Sequence, residues 1–334
     1  MLKSTFGTQQ YKNYYRRKVV KSMRFSVVIP LYNKARYIEK TIQCVLCQSN
    51  QDFEIIVIDD GSTDQSLLAA RKINDDRITV IAQENGGVSV ARNAGIEHAA
   101  GEFIAFLDAD DIWEANYLET IGKLIDEYPQ SDIFVTSYMV DFGNGKNRYS
   151  TQLTKETGCL DSYWRTLAKG YDFVWTSATV VRRQALLEAG CFRPGETIGQ
   201  DLDMWARLAR NNPRVAFSSK VCARYNRCAE ENARTRIKIA CASAFLKDLE
   251  EELECYAHTP EEYAAIQKKY DKKMTVYIFT AILAGEKRRA LSALKSWRGN
   301  TTLRSMLLKC GLIGAYFTPR SVNEWVYKLR LKLF

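Results

Sequence analysis

Five short apolar runs recur along the first 140 residues, and most are followed by a helical pattern. "FSVVI" (25–29), "FEIIVI" (53–58), "ITVIA" (78–82), "FIAFL" (103–107) and "DIFVTSY" (132–138) read as buried strands. Between them Ile38, Ile42 and Val45/Leu46 mark one helix face, with Asn33 as its expected N-cap. Ser62 and Gln65 make an S-x-x-Q capping box for a helix to about residue 73. Further helices are expected over 88–100 and 115–127. Alternation of this kind requires a parallel sheet with helices on both faces.

In such sheets ligands bind beyond the carboxyl ends of the strands. Three polar segments fall there: "PLYN" (30–33), "DDGSTD" (59–64) and "DADD" (108–111). They are distant in sequence, and the topology gathers them on one rim. No G-x-G-x-x-G follows the first strand, which argues against a dinucleotide fold of the usual kind. Within "FIAFLDADDIW" an apolar strand stops at Asp108, Asp110 and Asp111. Crowded carboxylates repel, and burying them is costly without a cation. Mg²⁺ or Mn²⁺ takes one or two carboxylates and completes its shell with phosphate and water. A solvated turn is the alternative.

The chain has 334 residues and 46% hydrophobic content, enough for a large domain with an appendage or for two domains. No window is long enough to span a membrane: Met274 to Ala284 is about half of the ~20 residues required. The N-terminus lacks the apolar segment of a signal peptide. Nine scattered cysteines do not form a disulfide framework, and Cys44-x-x-Cys47 has no second pair at zinc-site spacing. A cytosolic protein with free thiols is expected.

The formal charge of +9 is unevenly spread: residues 1–22 carry +6, residues 286–334 carry +9, and the middle carries −6. Basic ends around an acidic middle are not the pattern of a nucleic-acid-binding core. They suggest a middle that holds a cation and ends that touch something anionic. After residue 140 the pattern loosens. A strand is expected over 174–181 and a helix over 201–210, and from about 230 the text is helical: 233–257, 261–284, 286–297 and shorter pieces.

The run "SVVIPLYNKARYIEKTIQCVLCQSNQDFEIIVIDDGSTDQS", followed by "NGGVSVARNAG" and "FIAFLDADD", resembles the family 2 glycosyltransferases. The resemblance is close over about 25–118 and thinner to about 215. It implies the α/β GT-A fold, a Rossmann-like mostly parallel sheet flanked by helices. Residues 23–228 would be the catalytic domain and 229–334 a basic helical region. Residues 1–22 read as an unfolded basic extension, since Met23 directly precedes the first strand.

The resemblance also implies roles. Pro30, Tyr32 and Asp60 would contact the nucleoside of a nucleotide-sugar donor, and Arg92 would lie near the nucleotide. Asp108 and Asp110 would form the metal site for Mn²⁺ or Mg²⁺, with Asp110 the more direct ligand and Asp108 also facing the nucleotide. In "GQDLDMWARL" Asp201 matches the catalytic base, Asp203 is next in line, and Gln200 replaces the usual Glu. Where the resemblance fades, Trp175, Thr176, Ser177 and Trp205 either line the acceptor pocket or belong to the core, and Gln200 is expected beside the acceptor. The implied reaction is inverting transfer from a nucleotide sugar, with UDP the expected nucleotide, to a saccharide or lipid-linked acceptor in bacterial surface polysaccharide synthesis.

A nucleotidylyltransferase would carry a glycine-rich loop where "PLYNKARY" has none; a non-catalytic nucleotide-sugar-binding module would not need Asp108, Asp110 and Asp201 together. In "WVYKLRLKLF" Trp325, Val326, Leu329 and Leu333 share a helical face edged by Lys328, Arg330 and Lys332. Such a face suits an anionic membrane, which would place the protein at the inner face of the plasma membrane. Packing on the catalytic domain and contact within a homo-oligomer are the alternatives.

Overall fold

The computed structural model describes residues 24–143, 145, 147–150, 155–160, 162–168, 173–196, 199–228, 244–297 and 311–317. The basic extension 1–22 and the amphipathic stretch 325–334 lie outside the described residues, as does the expected boundary at 229.

Strands β1 (Phe25–Leu31), β2 (Phe53–Asp60), β3 (Ile78–Gln83) and β4 (Phe103–Phe106) form a parallel block in the order β3-β2-β1-β4. Helices α1 (Ile38–Leu46), α2 (Ser66–Arg71) and α3 (Val88–His98) connect them. Alternation in β1 divides the core. Val27 and Ile29 pack in a layer with Ile42 of α1, and Val28 faces the opposite layer with Ala91 and Ile96 of α3. Gly95 permits that second contact, because a Cβ there would lie 2.3 Å from Val28 Cγ1.

Beyond β4 the sheet departs from the simple parallel expectation. A two-residue strand β5 (Ile112–Trp113) precedes helix α4 (Tyr117–Glu127) and strand β6 (Ile133–Asp141). Short strands β7 (Asn147–Tyr149) and β8 (Thr157–Leu160) and helix α5 (Tyr163–Ala168) follow. Strand β9 (Thr179–Arg182) enters between β4 and β6, antiparallel to both. The strand expected over 174–181 is therefore shorter, because Thr176–Ala178 turn into a 3₁₀ segment before it. Helices α6 (Arg183–Glu188) and α7 (Gln200–Asn211) lead to β10 (Val215–Asn226), which runs parallel to β6.

Two helix starts differ from expectation. Asn33 is not an N-cap: it adopts a left-handed φ of 51°, and α1 begins at Ile38. The Ser62–Gln65 box does not form, and α2 has six residues starting at Ser66. The Asp64 carboxylate accepts from Ser66 N instead, while Ser62 Oγ serves the neighbouring loop.

Helices α8 (Ala244–Cys255), α9 (Pro260–Leu283) and α10 (Lys287–Ser296) pack on the α3 side of the sheet. Their Phe245, Leu249, Tyr270 and Ile278 belong to one apolar cluster with Phe106 and Trp205, so sheet and helical region share a core. A capping box between Thr259 and Glu262, with Pro260 following the cap, starts α9. No described helix is long and apolar enough to cross a membrane.

Ion pairs seal the seam between α7 and α8. Buried Asp203 pairs with Arg207 at 2.6 Å and with Arg193 at 2.9 Å, and Arg193 also reaches buried Asp248 at 3.2 Å. Farther along, Arg210 and His258 converge on buried Glu252. Burial first, and then the neighbouring Asp203, push the Asp248 carboxyl up to about 8 from its ordinary 3.8. The folded chain therefore holds a proton that the unfolded chain releases between those values, and folding stability falls as pH rises through them. Asp248→Asn is expected to flatten that decline. Thermal melts across this pH range check it, and equal slopes in parent and variant would contradict the assignment.

Candidate active site

Loops at the strand ends are tied to each other before any ligand arrives. Pro30 and Leu31 close β1, paired in register with Ile58 and Asp59 of β2. Half-buried Tyr32 follows. The Asn33 side-chain carbonyl accepts from Thr63 N at 2.8 Å, Asn33 N donates to Ser62 Oγ at 3.1 Å, and Lys34 N donates to Ser66 Oγ at 2.7 Å. The left-handed turn at Asn33 brings its backbone and amide to the β2 loop together, a conformation Asn tolerates better than most residues. This explains its position better than capping.

Asp60 is buried and anchors the loop that opens α3. Its Oδ1 accepts from Gln83 Nε2 at 2.8 Å and Gly86 N at 2.9 Å, and its Oδ2 accepts from Gly87 N at 2.9 Å. A carboxylate offers about four lone-pair sites, which leaves room for one more donor. Beside it, Asp59 accepts from Ser62 N, while its buried Oδ1 has no partner among the described residues.

The three crowded carboxylates separate. Asp111 turns inward, accepting from Ser177 Oγ at 2.6 Å and from Asn226 N at 3.0 Å. Burial drives its carboxyl well above the ordinary range, with Asp110 and Asp108 adding to the effect. Thr41 Oγ1 donates to the carbonyls of Ala109 and Asp111 and so holds the turn. Asp108 and Asp110 face the rim. Asp108 accepts from Arg92 Nη2 at 2.8 Å, and Asp110 pairs with Lys34 Nζ at 2.7 Å. Burial raises the Asp110 carboxyl against the pull of Lys34. Side-chain cations thus meet the charge for which a metal was expected, and no group of three potential ligands occurs among the described residues. The two rim carboxylates are nonetheless hard oxygen donors in the number that Mg²⁺ or Mn²⁺ takes when a diphosphate supplies the rest.

Arg92 lies buried on α3, its guanidinium 5.3 Å from the Phe192 ring centre. Its Nε and Nη1 have no partner among the described residues. A buried guanidinium with two open donors beside the rim is suited to an anion.

On the other side of Asp108 lies the start of α7. Its N-cap is Gly199, in a left-handed conformation with φ 76°, so Asp201 sits in the first turn rather than at the cap. Asp201 Oδ2 accepts from Thr176 Oγ1 at 3.3 Å, and Oδ1 from Leu202 N at 2.9 Å. Gln200 Oε1 is buried without a partner among the described residues. Trp175 is half-buried against Tyr138 and Tyr225. Two alternatives close here. Asp203 is held in ion pairs with Arg193 and Arg207, which removes it as the fallback base, and Trp205 is wholly buried, which leaves the core reading for it.

The 3₁₀ turn joins the two halves of the rim. Thr176 bonds Asp201 while its neighbour Ser177 bonds Asp111 and accepts from Asp108 N at 3.1 Å. Sequence reasoning put Thr176 and Ser177 at the acceptor pocket or in the core but not in this bridging role, and it missed Lys34, Thr41 and Asn226. Adjacency to "PLYN" was the one available signal for Lys34. The partners of Thr41 and Asn226 are about 70 and 115 residues away.

A mostly parallel sheet flanked by helices, with acidic and basic side chains at its strand ends and helices appended, is the GT-A glycosyltransferase fold. The chain belongs to the family described as "Glycosyl transferase family 2", whose model matches residues 26–190. An uncharacterized glycosyltransferase of Nostoc sp. is 37% identical over 171 residues, covering 49% of this chain and 52% of that protein. The putative teichuronic acid biosynthesis glycosyltransferase TuaG of Bacillus subtilis is 45% identical over 97 residues, covering 28% of this chain and 38% of TuaG. The matches thus span about half or less of these relatives. The structure of S. aureus TarS 1–349 in complex with UDP-GlcNAc superimposes with a TM-score of 0.66 at 20% identity, over 92% of both chains.

Ser177→Ala removes the hydroxyl shared by Asp111 and Asp108 N. Leaving a buried carboxylate short of a donor is expected to cost about 1–3 kcal/mol of stability. Urea unfolding measures it, and an unchanged midpoint would show that the bridge is dispensable.

Proposed function

We propose that the chain catalyses inverting transfer of a sugar from a nucleotide sugar, with UDP the favoured nucleotide, to a hydroxyl of a saccharide or lipid-linked acceptor. One observation carries the reading: adjacent residues Thr176 and Ser177 tie Asp201 to the turn that bears Asp108 and Asp110. A proton acceptor and a diphosphate-binding rim are thereby held in one frame. TarS in complex with UDP-GlcNAc and the name of TuaG support a sugar-nucleotide donor and a surface-polymer product.

On this reading Tyr32, Pro30 and Asp60 hold the nucleoside, and Arg92 meets the diphosphate with its open donors. Asp108 and Asp110 would hold Mg²⁺ or Mn²⁺, which would offset charge on the departing diphosphate. Lys34 then exchanges Asp110 for phosphate. Asp201 takes the proton of the acceptor hydroxyl, whose oxygen forms a bond to the anomeric carbon from the face opposite the leaving group. The bond from that carbon to the diphosphate oxygen breaks, and the nucleoside diphosphate departs with its electron pair. Action at the inner face of the membrane, division into a catalytic domain to residue 228 and a helical region beyond it, and homo-oligomer formation through that region belong to the same proposal.

Asp110→Asn is expected to abolish the Mn²⁺-dependent part of UDP affinity, because it removes the more direct of the two carboxylate ligands. Calorimetry with and without Mn²⁺ reads it, and an undiminished increment would remove Asp110 as a ligand.

Asp201→Asn keeps the side chain's shape but cannot take the proton. Transfer from a nucleotide sugar should fall ~10²–10⁴-fold with UDP binding preserved. Full transfer activity in the variant would place the base elsewhere.

A further inference from the structure

Across β4 from the Tyr32 and Asp60 loops, three aromatic side chains meet. The Trp175 ring centre is 4.6 Å from that of Tyr138 and 5.1 Å from that of Tyr225, each pair tilted by 41°. Tyr138 is nearly buried and supports the group from β6, while Trp175 and Tyr225 keep part of their surface exposed. Trp175 and Tyr225 pack, partly buried, against the core cluster that holds Tyr138. Each partly exposed ring also stands one residue from a contact to a carboxylate of this region. Thr176, after Trp175, donates to Asp201, and Asn226 N, after Tyr225, donates to the inward-turned Asp111. The turn that carries Trp175 is thus tied directly to the proposed base.

We propose that Trp175 and Tyr225, backed by Tyr138, form a stacking platform for a sugar ring of the acceptor, with Gln200 Oε1 receiving one of its hydroxyls. The proposal rests on the glycosyl-transfer reading and names the acceptor's chemical class. Three observations select a carbohydrate. Aromatic faces match the apolar C–H face of a sugar ring, and Trp175 and Tyr225 keep part of their surface open. Gln200 Oε1 is buried and unpartnered among the described residues, an acceptor awaiting a donor, and it adjoins Asp201 in the chain. The platform also lies apart from the nucleoside end. Tyr32 and Asp60 leave β1 and β2, whereas Trp175, Tyr138 and Tyr225 lie at β9, β6 and β10, with β4 and Asp108 between the two groups. Stacking of the donor's base on Trp175 would separate that base from Asp60. A polyol phosphate is disfavoured because Asp201, the charge bonded to this turn, repels a phosphodiester. An acyl chain would leave Gln200 Oε1 unsatisfied.

Saturation-transfer NMR on the full chain with UDP and Mn²⁺ tests the platform. The probes are the methyl glycosides of glucose, galactose and N-acetylglucosamine, with ribitol 5-phosphate and micelles of the sugar-free detergent octaethylene glycol monododecyl ether as rivals. At least one methyl glycoside should receive saturation at its ring C–H protons. Its affinity should fall about tenfold in Trp175→Ala, the upper range of an aromatic contact, and recover in Trp175→Phe. Tyr225→Ala should weaken the same glycoside, and Gln200→Leu should weaken it without changing which protons are saturated. UDP affinity measured by calorimetry in each variant reports an intact donor end and excludes misfolding as the cause. Absence of signal from every methyl glycoside, equal affinity in Trp175→Ala and parent, or binding of ribitol 5-phosphate alone would overturn the proposal. Micelle contact that persists in Trp175→Ala would do the same. Full transfer by Asp201→Asn would overturn the proposed base while leaving sugar binding at Trp175 measurable, so the two failures are distinguishable.

Discussion

A carboxylate at the end of a buried strand is tolerable only when donors surround it, and Asp111 shows how this chain meets that condition. Ser177 Oγ and Asn226 N reach it from segments 66 and 115 residues away. Their hydrogen bonds fix the 3₁₀ turn and the end of β10 against the turn after β4. Thr41 holds the same turn through two carbonyls. With Asp111 committed inward, Asp108 and Asp110 are left facing the rim, where their charge is available to a ligand.

The rim is electrostatically closed in the ligand-free chain. Arg92 and Lys34 each neutralise one carboxylate, Asp108 and Asp110 respectively. The two cations differ in kind. Arg92 is sunk against Phe192 with a rigid planar head, whereas Lys34 is a flexible stem on a loop. On the proposed reading a diphosphate would draw Lys34 away from Asp110 without disturbing α3, while Arg92 would keep its place and offer the donors it does not use.

Helix α7 couples the rim to the rest of the molecule. Its first turn carries Gln200 and Asp201, its buried face carries Trp205, Arg193 bridges its Asp203 to Asp248 of α8, and Arg210 pairs directly with Glu252 of α8. Helices α8 and α9 therefore brace the element that positions the proposed base. Their apolar residues complete the same core that underlies the sheet.

Much of this was legible in the chain itself. The period-two and helical patterns located β1 to β4 and the rim, because strand alternation and burial are local in origin. Order along the chain, with "PLYN", "DDGSTD", "DADD" and "GQDLDMWARL", named most residues now found around the rim. Local rules failed where a distant group competed for the same side chain. Ser62 serves Asn33 rather than its own helix, Asp203 serves Arg193 and Arg207 rather than the cleft, and the 174–181 run breaks so that Thr176 and Ser177 can reach two carboxylates. The insertion of β9 antiparallel to both neighbours is likewise invisible to a pattern that records burial but not direction. Residue type and spacing settled which groups would reach the rim. Which of them would be neutralised, buried or left open followed from partners up to 115 residues away, since hydrogen bonds and ion pairs depend on distance in space and not along the chain.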